Sequence, residues 1–222
     1  VEDAKATGCQ SISYTYTNPT IFFEYALDTA RIAQADNIKN VFVSNGYMTE
    51  KALETVAPYL DAANVDLKAF TNRFYEEQCG ARLSPVLKTL RGMKERGIWL
   101  EVTTLLIPGL NDDPGEVKEM AEFLVSLGPE IPWHLSRFYP RYKMVDRAPT
   151  SLETIQKARQ IGLEAGLKYV YTGNIPGDEG ESTFCRRCGE LVIGRIGFSI
   201  VKNALREGRC PKCETRVDGV GM

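Results

Sequence analysis

Strand-like and helix-like stretches alternate along this chain at a nearly constant spacing, and that rhythm constrains the fold more than any other feature. Runs rich in Val, Ile, Tyr, Phe, Trp and Thr occupy residues 11–16, 40–44, 62–68, 99–107, 133–139 and 168–172, with starts 22 to 37 residues apart. Each interval leaves room for a turn, a helix and a second turn. Antiparallel neighbours need only a short hairpin, whereas parallel neighbours need a crossover of a dozen or more residues, so the spacing predicts βαβ units and a parallel sheet or barrel. Periodicity alone does not choose between an open doubly wound sheet and a barrel.

The first unit sets the pattern. Residues 11–16 read as a strand and Thr17-Asn18-Pro19 break it. Thr20 is then expected to cap a helix whose apolar residues recur at helical spacing through Phe22, Tyr25, Ala26, Thr29, Ala30 and Ala33. Later helices are expected from Thr49, over 72–79, over 84–96 with Ser84-Pro85 at its start, over 115–127 and over 151–165. Gly97 and Gly166 stop two of them. With 222 residues, 43% of them hydrophobic, one α/β core and a small appendix can be buried.

Polar residues gather at the ends of these strands. Asn18, Asn45, Asp66, Lys68, Thr103, Ser136 and Arg137 lie within or just past the C-terminal halves of successive strands, which share one rim in a parallel arrangement. Asp66 and Lys68 fall on the same face of their strand by alternation, and Val65 and Leu67 on the other. Such a pair is a structural ion pair or faces a ligand, and a desolvated Lys68 could also form a Schiff base.

Six cysteines complete the inventory. Cys185 and Cys188 form one C-x-x-C, Cys210 and Cys213 a second, with 21 residues between the pairs. Two such knuckles close a tetrahedral thiolate site with no open position, the pattern of a structural zinc ribbon, with rubredoxin-like iron as the alternative. The strand-like runs 191–193 and 198–201 lie between the pairs. A module this small is expected to couple its folding to the metal. Cys9 and Cys79 are expected to be buried small residues, and His134, the sole histidine, to be bonded to a strand neighbour.

Charge excludes some roles. The net charge of −2 gives no general pull toward nucleic acid, although residues 185–222 hold 8 Lys and Arg against 4 Asp and Glu, leaving 19 against 25 elsewhere. No run approaches the roughly 18 to 20 apolar residues of a membrane span, and the polar start VEDAKATG does not read as a signal peptide. A soluble, cytoplasmic protein without membrane partners is expected.

Nearly the whole chain resembles the C-terminal two-thirds of the AmmeMemoRadiSam-type radical SAM enzymes, relatives of the pyruvate formate-lyase activating enzyme. The stretches that carry the likeness are SYTYTNPTIFFEYALDTA, NVFVSNGYMT, APYLDAANVDLKAF, CGARLSPVL, EVTTLLIPGLND, GPEIPWHLSRFYP and KYVYTGNIPG. The resemblance implies an α/β fold, a partial (β/α)6 barrel missing its first strand and followed by a small C-terminal zinc ribbon. The domains would be 1–172 for the barrel, 173–184 for a linker and 185–222 for the ribbon. It also implies that S-adenosylmethionine lies across the strand ends and that a [4Fe-4S] cluster cleaves it reductively to a 5'-deoxyadenosyl radical. Carried over by motif, the turn Tyr16-Thr17-Asn18-Pro19 matches the one that binds the amino group of S-adenosylmethionine, and Asn45, Asp66, Lys68 and Thr103 match further cofactor positions.

The chain departs from that pattern in three places. Asn18 stands where the family has Glu, and Tyr139 where His is common. No C-x-x-x-C-x-x-C loop is present for the cluster, and the reading that follows is of an inactive chain truncated at its N-terminus. The function expected from the resemblance is therefore that of a radical SAM enzyme fragment, with a protein or a small molecule as substrate. Two alternatives come from the residues: a Schiff-base lyase of aldolase type using Lys68, and a zinc-ribbon binding module on a scaffold barrel, with nucleic acid or a protein as its partner.

Overall fold

The computed structural model describes residues 1–220. A short helix α1 (Glu2–Ala6) leads into β1 (Ser11–Tyr14), α2 (Phe23–Ala35), β2 (Lys39–Ser44), α3 (Glu50–Val56) and β3 (Ala62–Asp66). Then come α4 (Asn72–Phe74), a single π-helical turn (Tyr75–Cys79), α5 (Leu83–Glu95), β4 (Trp99–Leu106), α6 (Pro114–Leu127), β5 (Trp133–Arg137), α7 (Leu152–Ala165) and β6 (Val170–Gly173). The strands form one six-stranded sheet in sequential order, and the pairs β1/β2, β2/β3, β3/β4 and β5/β6 are parallel. The chain divides into two compact units, Val1–Leu67 with Thr71–Thr103, and Lys68–Phe70 with the residues from Thr104 on.

In the first unit, alternation sorts the strands into a buried and a half-open face. Phe42, Ala63, Val65, Leu100 and Val102 are buried, and Val43, Asn64, Asp66, Glu101 and Thr103 occupy the alternate positions with partial or full exposure. The helices that bury Ala26, Leu27, Ala30, Leu53, Val56, Val86, Leu90 and Met93 supply the rest of this core. In the second unit, Leu106, Val117, Met120, Leu124, Trp133, Leu135 and Ile155 are buried, and the Trp133 indole N–H donates to Thr104 Oγ1 at 2.9 Å, which satisfies the polar edge of a ring that is otherwise enclosed.

A second, antiparallel sheet runs β7 (Thr183–Phe184), β8 (Leu191–Ile196) and β9 (Ser199–Asn203), in that order. It sits within the second unit, where Tyr169, Cys185, Val192, Ile193, Cys210 and Val217 form one small core. Residues 173–184, expected to be a linker, carry regular structure: the end of β6, a turn of 3-10 helix (Glu179–Glu181) and β7. Tyr171 Oη and Thr183 Oγ1 share a 2.8 Å hydrogen bond, and Lys168 Nζ lies 3.0 Å from Asp218. Tyr169, just before β6, belongs to the core of the small sheet, and Tyr171 of β6 packs against it.

Local expectations are corrected in several places. β1 stops at Tyr14, because Tyr16 takes φ +68, and β3 stops at Asp66, so Lys68 follows the strand. Thr20 does not cap α2, whose N-terminus at Phe22 has no side-chain cap. Ser84 lies inside α5, and Asn72 Oδ1 accepts the Leu83 N–H from 11 residues back. Cys9 and Cys79 are exposed, not buried, since both fall at the polar ends of short helical turns. Thr49 does cap α3, accepting from Ala52 N at 3.1 Å.

Candidate functional site

At the C-terminal ends of the first unit's strands, the side chains bind one another. Asn18 Oδ1 accepts from Ser44 Oγ at 2.8 Å and from the Asn45 N–H at 3.4 Å, and Asn18 Nδ2 donates to Thr20 Oγ1. Ser44 is buried and its hydroxyl oxygen also accepts the Gly46 N–H at 3.1 Å. Asn45 Oδ1 caps its own turn through the Tyr47 N–H at 2.9 Å. The turns after β1 and β2 are thereby fastened together, which leaves Tyr16 fully exposed and Pro19 buried beneath.

Gly46 is required at the centre of this arrangement. Its φ is +70, and a Cβ there would stand 2.8 Å from Val65 Cγ1 and 3.0 Å from Val86 Cγ1. One turn residue therefore lets the β2 end lie against both β3 and α5.

The next pair of strands repeats the theme. Thr103 Oγ1 donates to Asn64 Oδ1 at 2.8 Å, and Thr103 is in register with Asp66. Asn64, Asp66 and Thr103 are half-buried on the face opposite Val65 and Val102, so β3 and β4 present polar groups on one side and pack apolar groups on the other. Asn18, Asn45, Asp66 and Thr103 all belong to this unit, and Thr17 is exposed at the same turn. Lys68 belongs to the second unit, where it is half-buried and its carbonyl accepts from Asn111 Nδ2 at 2.6 Å.

In the second unit two buried side chains organise the loops. Asn111 donates to the carbonyls of Lys68 and Leu105 and accepts the Ile107 N–H at 2.7 Å. Thr150 donates to the Leu106 carbonyl at 2.6 Å and accepts the Phe138 N–H at 3.1 Å. At the end of β5, Arg137 Nε donates to the Thr150 carbonyl at 2.7 Å, its Nη1 donates to Tyr139 Oη at 3.0 Å, and the Tyr139 hydroxyl donates to the Asn174 carbonyl. Glu116 accepts the Phe70 N–H at 2.6 Å, and burial raises its carboxyl above the ordinary range. His134 stacks on Tyr171 with ring centroids 5.3 Å apart. Sequence reading missed Ser44 and the clasping roles of Asn111 and Thr150, because their partners are brought together only by the sheet.

The four cysteines of the C-x-x-C pairs converge. Their sulfurs all lie within 4.8 Å of one another, with Cys185 to Cys213 at 3.4 Å and Cys188 to Cys210 at 3.6 Å. A tetrahedron of thiolates about 2.3 Å from one ion has sulfur edges of about 3.8 Å, so the donor set fits a single metal ion. Hydrogen bonding with the Thr215 side chain and backbone lowers the Cys213 thiol to about 6. The Glu190 backbone pulls the Cys188 thiol down, but burial and its three sulfur neighbours overcome this and push it to about 12.

Residues 1–124 match the Radical SAM superfamily. The chain belongs to that superfamily. An uncharacterized protein of Methanocaldococcus jannaschii is 42% identical over 221 residues, covering 98% of this chain, and the chain spans 66% of that relative's length. Among solved structures, a domain of the pyruvate-formate lyase-activating enzyme from Bacteroides vulgatus aligns with a TM-score of 0.63 at 22% identity, over 74% of this chain and 99% of that one. Streptococcus suis SuiB bound to S-adenosylmethionine aligns with a TM-score of 0.63 at 15% identity, over 78% of this chain and 41% of that one. A radical SAM methyltransferase from Sphaerobacter thermophilus aligns at 0.62 and 17% identity, over 81% of this chain and 57% of that one. These three likenesses concern the fold.

The superfamily implies S-adenosylmethionine and an iron-sulfur cluster. The loop of three cysteines that the resemblance expects for the cluster is not found among this chain's cysteines: Cys9 and Cys79 are 70 positions apart, and the other four form two C-x-x-C pairs that converge on one site able to hold a metal. Among the described residues no helix is long and apolar enough to cross a membrane.

Proposed function

We propose that this chain is the S-adenosylmethionine-binding part of an AmmeMemoRadiSam-type radical SAM enzyme, of the activating-enzyme kind, with one structural zinc ion in its C-terminal ribbon. The observation that carries the reading is the first unit's rim, where the ends of four successive parallel strands carry Asn18, Asn45, Asp66 and Thr103 in a half-open, polar layer backed by a packed core. Amides and hydroxyls already fixed by one another lose little freedom when a ligand arrives.

Each residue has a task within that proposal. Tyr16, Thr17, Asn18 and Pro19 shape the turn that receives the ligand's amino group, and Asn18 Oδ1 turns to it by giving up the longer of its two bonds, that from the Asn45 N–H. Asp66 adds the negative charge that suits a ligand bearing a sulfonium and an ammonium. Asn45 and Thr103 supply neutral polar groups on either side, and Lys68 is assigned a cofactor contact by the resemblance alone. Reductive cleavage of S-adenosylmethionine takes its electron from a [4Fe-4S] cluster, for which this chain's cysteines provide no grouped ligands, so no step of that reaction is assigned to its residues. Zinc is favoured over a cluster in the ribbon because four sulfurs within 4.8 Å surround one ion, whereas a cubane holds each thiolate on a different iron.

Calorimetry with S-adenosylmethionine tests the reading. Binding is expected to be weak, because an amide replaces the family's carboxylate at position 18 and forfeits a charge-assisted bond worth about 1.5 to 3 kcal/mol. Asn18→Glu should tighten it by roughly 10- to 100-fold, and Asp66→Ala should abolish it. Equal or weaker affinity in the Glu variant would withdraw the assignment at this turn.

A further inference from the structure

Three arginines stand side by side on the outer face of the ribbon. Arg206 and Arg209 are antiparallel bridge partners across a two-residue turn at Glu207 and Gly208, with N–H to carbonyl bonds of 3.0 and 2.9 Å in both directions. Arg209 is in turn the bridge partner of Arg216, and the flanking bonds from Cys210 N to the Thr215 carbonyl and from Val217 N to the Gly208 carbonyl leave this pair without bonds of its own. Bridge partners carry their side chains on the same face, with Cβ atoms about 4.5 to 5.5 Å apart, so Arg206, Arg209 and Arg216 form one row. Their chain neighbours Gly208, Cys210 and Val217 are buried, which sends the row outward.

Like charges directly opposite one another are destabilising. Here there are three, all exposed, and among the described residues no carboxylate lies within ion-pair distance of any of them. Among the described residues, the one side-chain hydrogen bond from the row goes from Arg209 Nη1 to the Glu214 carbonyl, which holds that side chain along the second cysteine knuckle without neutralising it. Arg187 and Lys212 are exposed on the two knuckles themselves, and so is Arg186, whose charge also helps to hold the Asp218 carboxyl low.

We infer that this arginine row binds the phosphate backbone of a nucleic acid, independently of base sequence. The row is linear and lies on an open face, which suits a chain of regularly repeated anions, whereas a single small anion is held by groups that converge in a pocket. The residues are arginines, whose planar forks match phosphate oxygens two at a time. The net charge of −2 conceals the site, because 25 of the 29 acidic residues precede residue 185, and among the described residues Glu207 and Glu214, which adjoin the row, form no ion pair with it. This inference is independent of S-adenosylmethionine binding.

The test is fluorescence anisotropy of a labelled single-stranded RNA with the full, metal-loaded chain, titrated over a range of salt. The logarithm of affinity should fall with the logarithm of salt concentration at a slope near −2, as expected for about three phosphates. Replacing Arg206, Arg209 and Arg216 together by Gln should weaken binding about 100-fold at low salt and flatten the slope, while Lys118→Gln on α6 changes neither. The corresponding Lys variants keep the charge without the fork and should fall between. Absence of binding at about 50 mM salt would overturn the inference with wild-type protein alone. So would an unchanged slope in a Gln variant that retains its metal, or displacement of the RNA by polyglutamate at equal charge, which would mark an acidic protein as the partner.

Discussion

The strand-end rim of the first unit and the cysteine ribbon of the second are both built from polar residues far apart in sequence, yet they are organised on opposite principles. In the ribbon, four cysteine sulfurs converge within 4.8 Å of one another, and the buried neighbours Tyr169, Val192, Ile193 and Val217 are small in number. The site is incomplete without its ion. In the rim, Asn18, Ser44, Asn45, Asn64 and Thr103 satisfy one another, and the layer beneath them is a packed α/β core. That site exists before any ligand arrives. Metal should therefore be a folding partner in one region, and S-adenosylmethionine only a guest in the other.

Removing one thiolate separates the two most sharply. Cys185→Ser should lower zinc from about one equivalent per chain to near zero and unfold the ribbon, since structural zinc contributes on the order of 10 kcal/mol to such a module. Metal analysis with near-ultraviolet circular dichroism checks it, and the first unit should keep its hydrogen-exchange protection. Full metal retention in the variant would remove the contrast.

Two glycines give a smaller test. Gly46 in the rim and Gly197 at the β8/β9 turn both have positive φ, but a Cβ at Gly46 meets Val65 and Val86 whereas one at Gly197 meets nothing within 4 Å. Both alanine variants bear the left-handed backbone penalty of about 1 kcal/mol, and only Gly46→Ala adds overpacking of about 1 to 3 kcal/mol. Urea midpoints should rank them in that order, and equal costs would mean that the rim yields as easily as a surface hairpin.

The smallest effect lies at the ribbon's anchor. Burial would raise the Asp218 carboxyl, but hydrogen bonds from Lys168 and Tyr169 outweigh it and hold the group below the ordinary carboxylate value. A depressed folded-state value contributes stability that is complete above the unfolded carboxyl's value near 3.9 and is lost as pH falls through the lower folded value. The stability difference between wild type and Asp218→Asn should thus be constant at neutral pH and shrink below about pH 4. Metal loss in acid affects both proteins and cancels from the difference.

What the sequence disclosed and what it hid follow from the range of the interactions. The strand and helix alternation was legible because each element carries its own periodicity, and the four metal-site cysteines because two C-x-x-C pairs close on one ion. The Asn18 to Ser44 clasp joins residues 26 apart and Asn111 reaches back to Lys68 across 43, and nothing local announces either. Strand ends were overextended where Thr15 and Tyr16 have strand composition but the backbone turns to φ +68. Cys9 and Cys79 were misplaced because residue type was weighed without the exposed turns that carry them. The basic excess of the ribbon, Arg206 and Arg209 included, was legible, but its alignment with Arg216 into a row was not, because residues 206, 209 and 216 become neighbours only through two isolated bridges.

The most direct measurement of the central claim is an NMR titration of the isotope-labelled, zinc-loaded chain with S-adenosylmethionine, read residue by residue. The account predicts saturable shifts at the amides of Asn18, Ser44, Asn45, Asp66 and Thr103, with Cys185, Cys188, Cys210 and Cys213 unmoved. Shifts confined to the ribbon, or none anywhere at millimolar ligand, would contradict it.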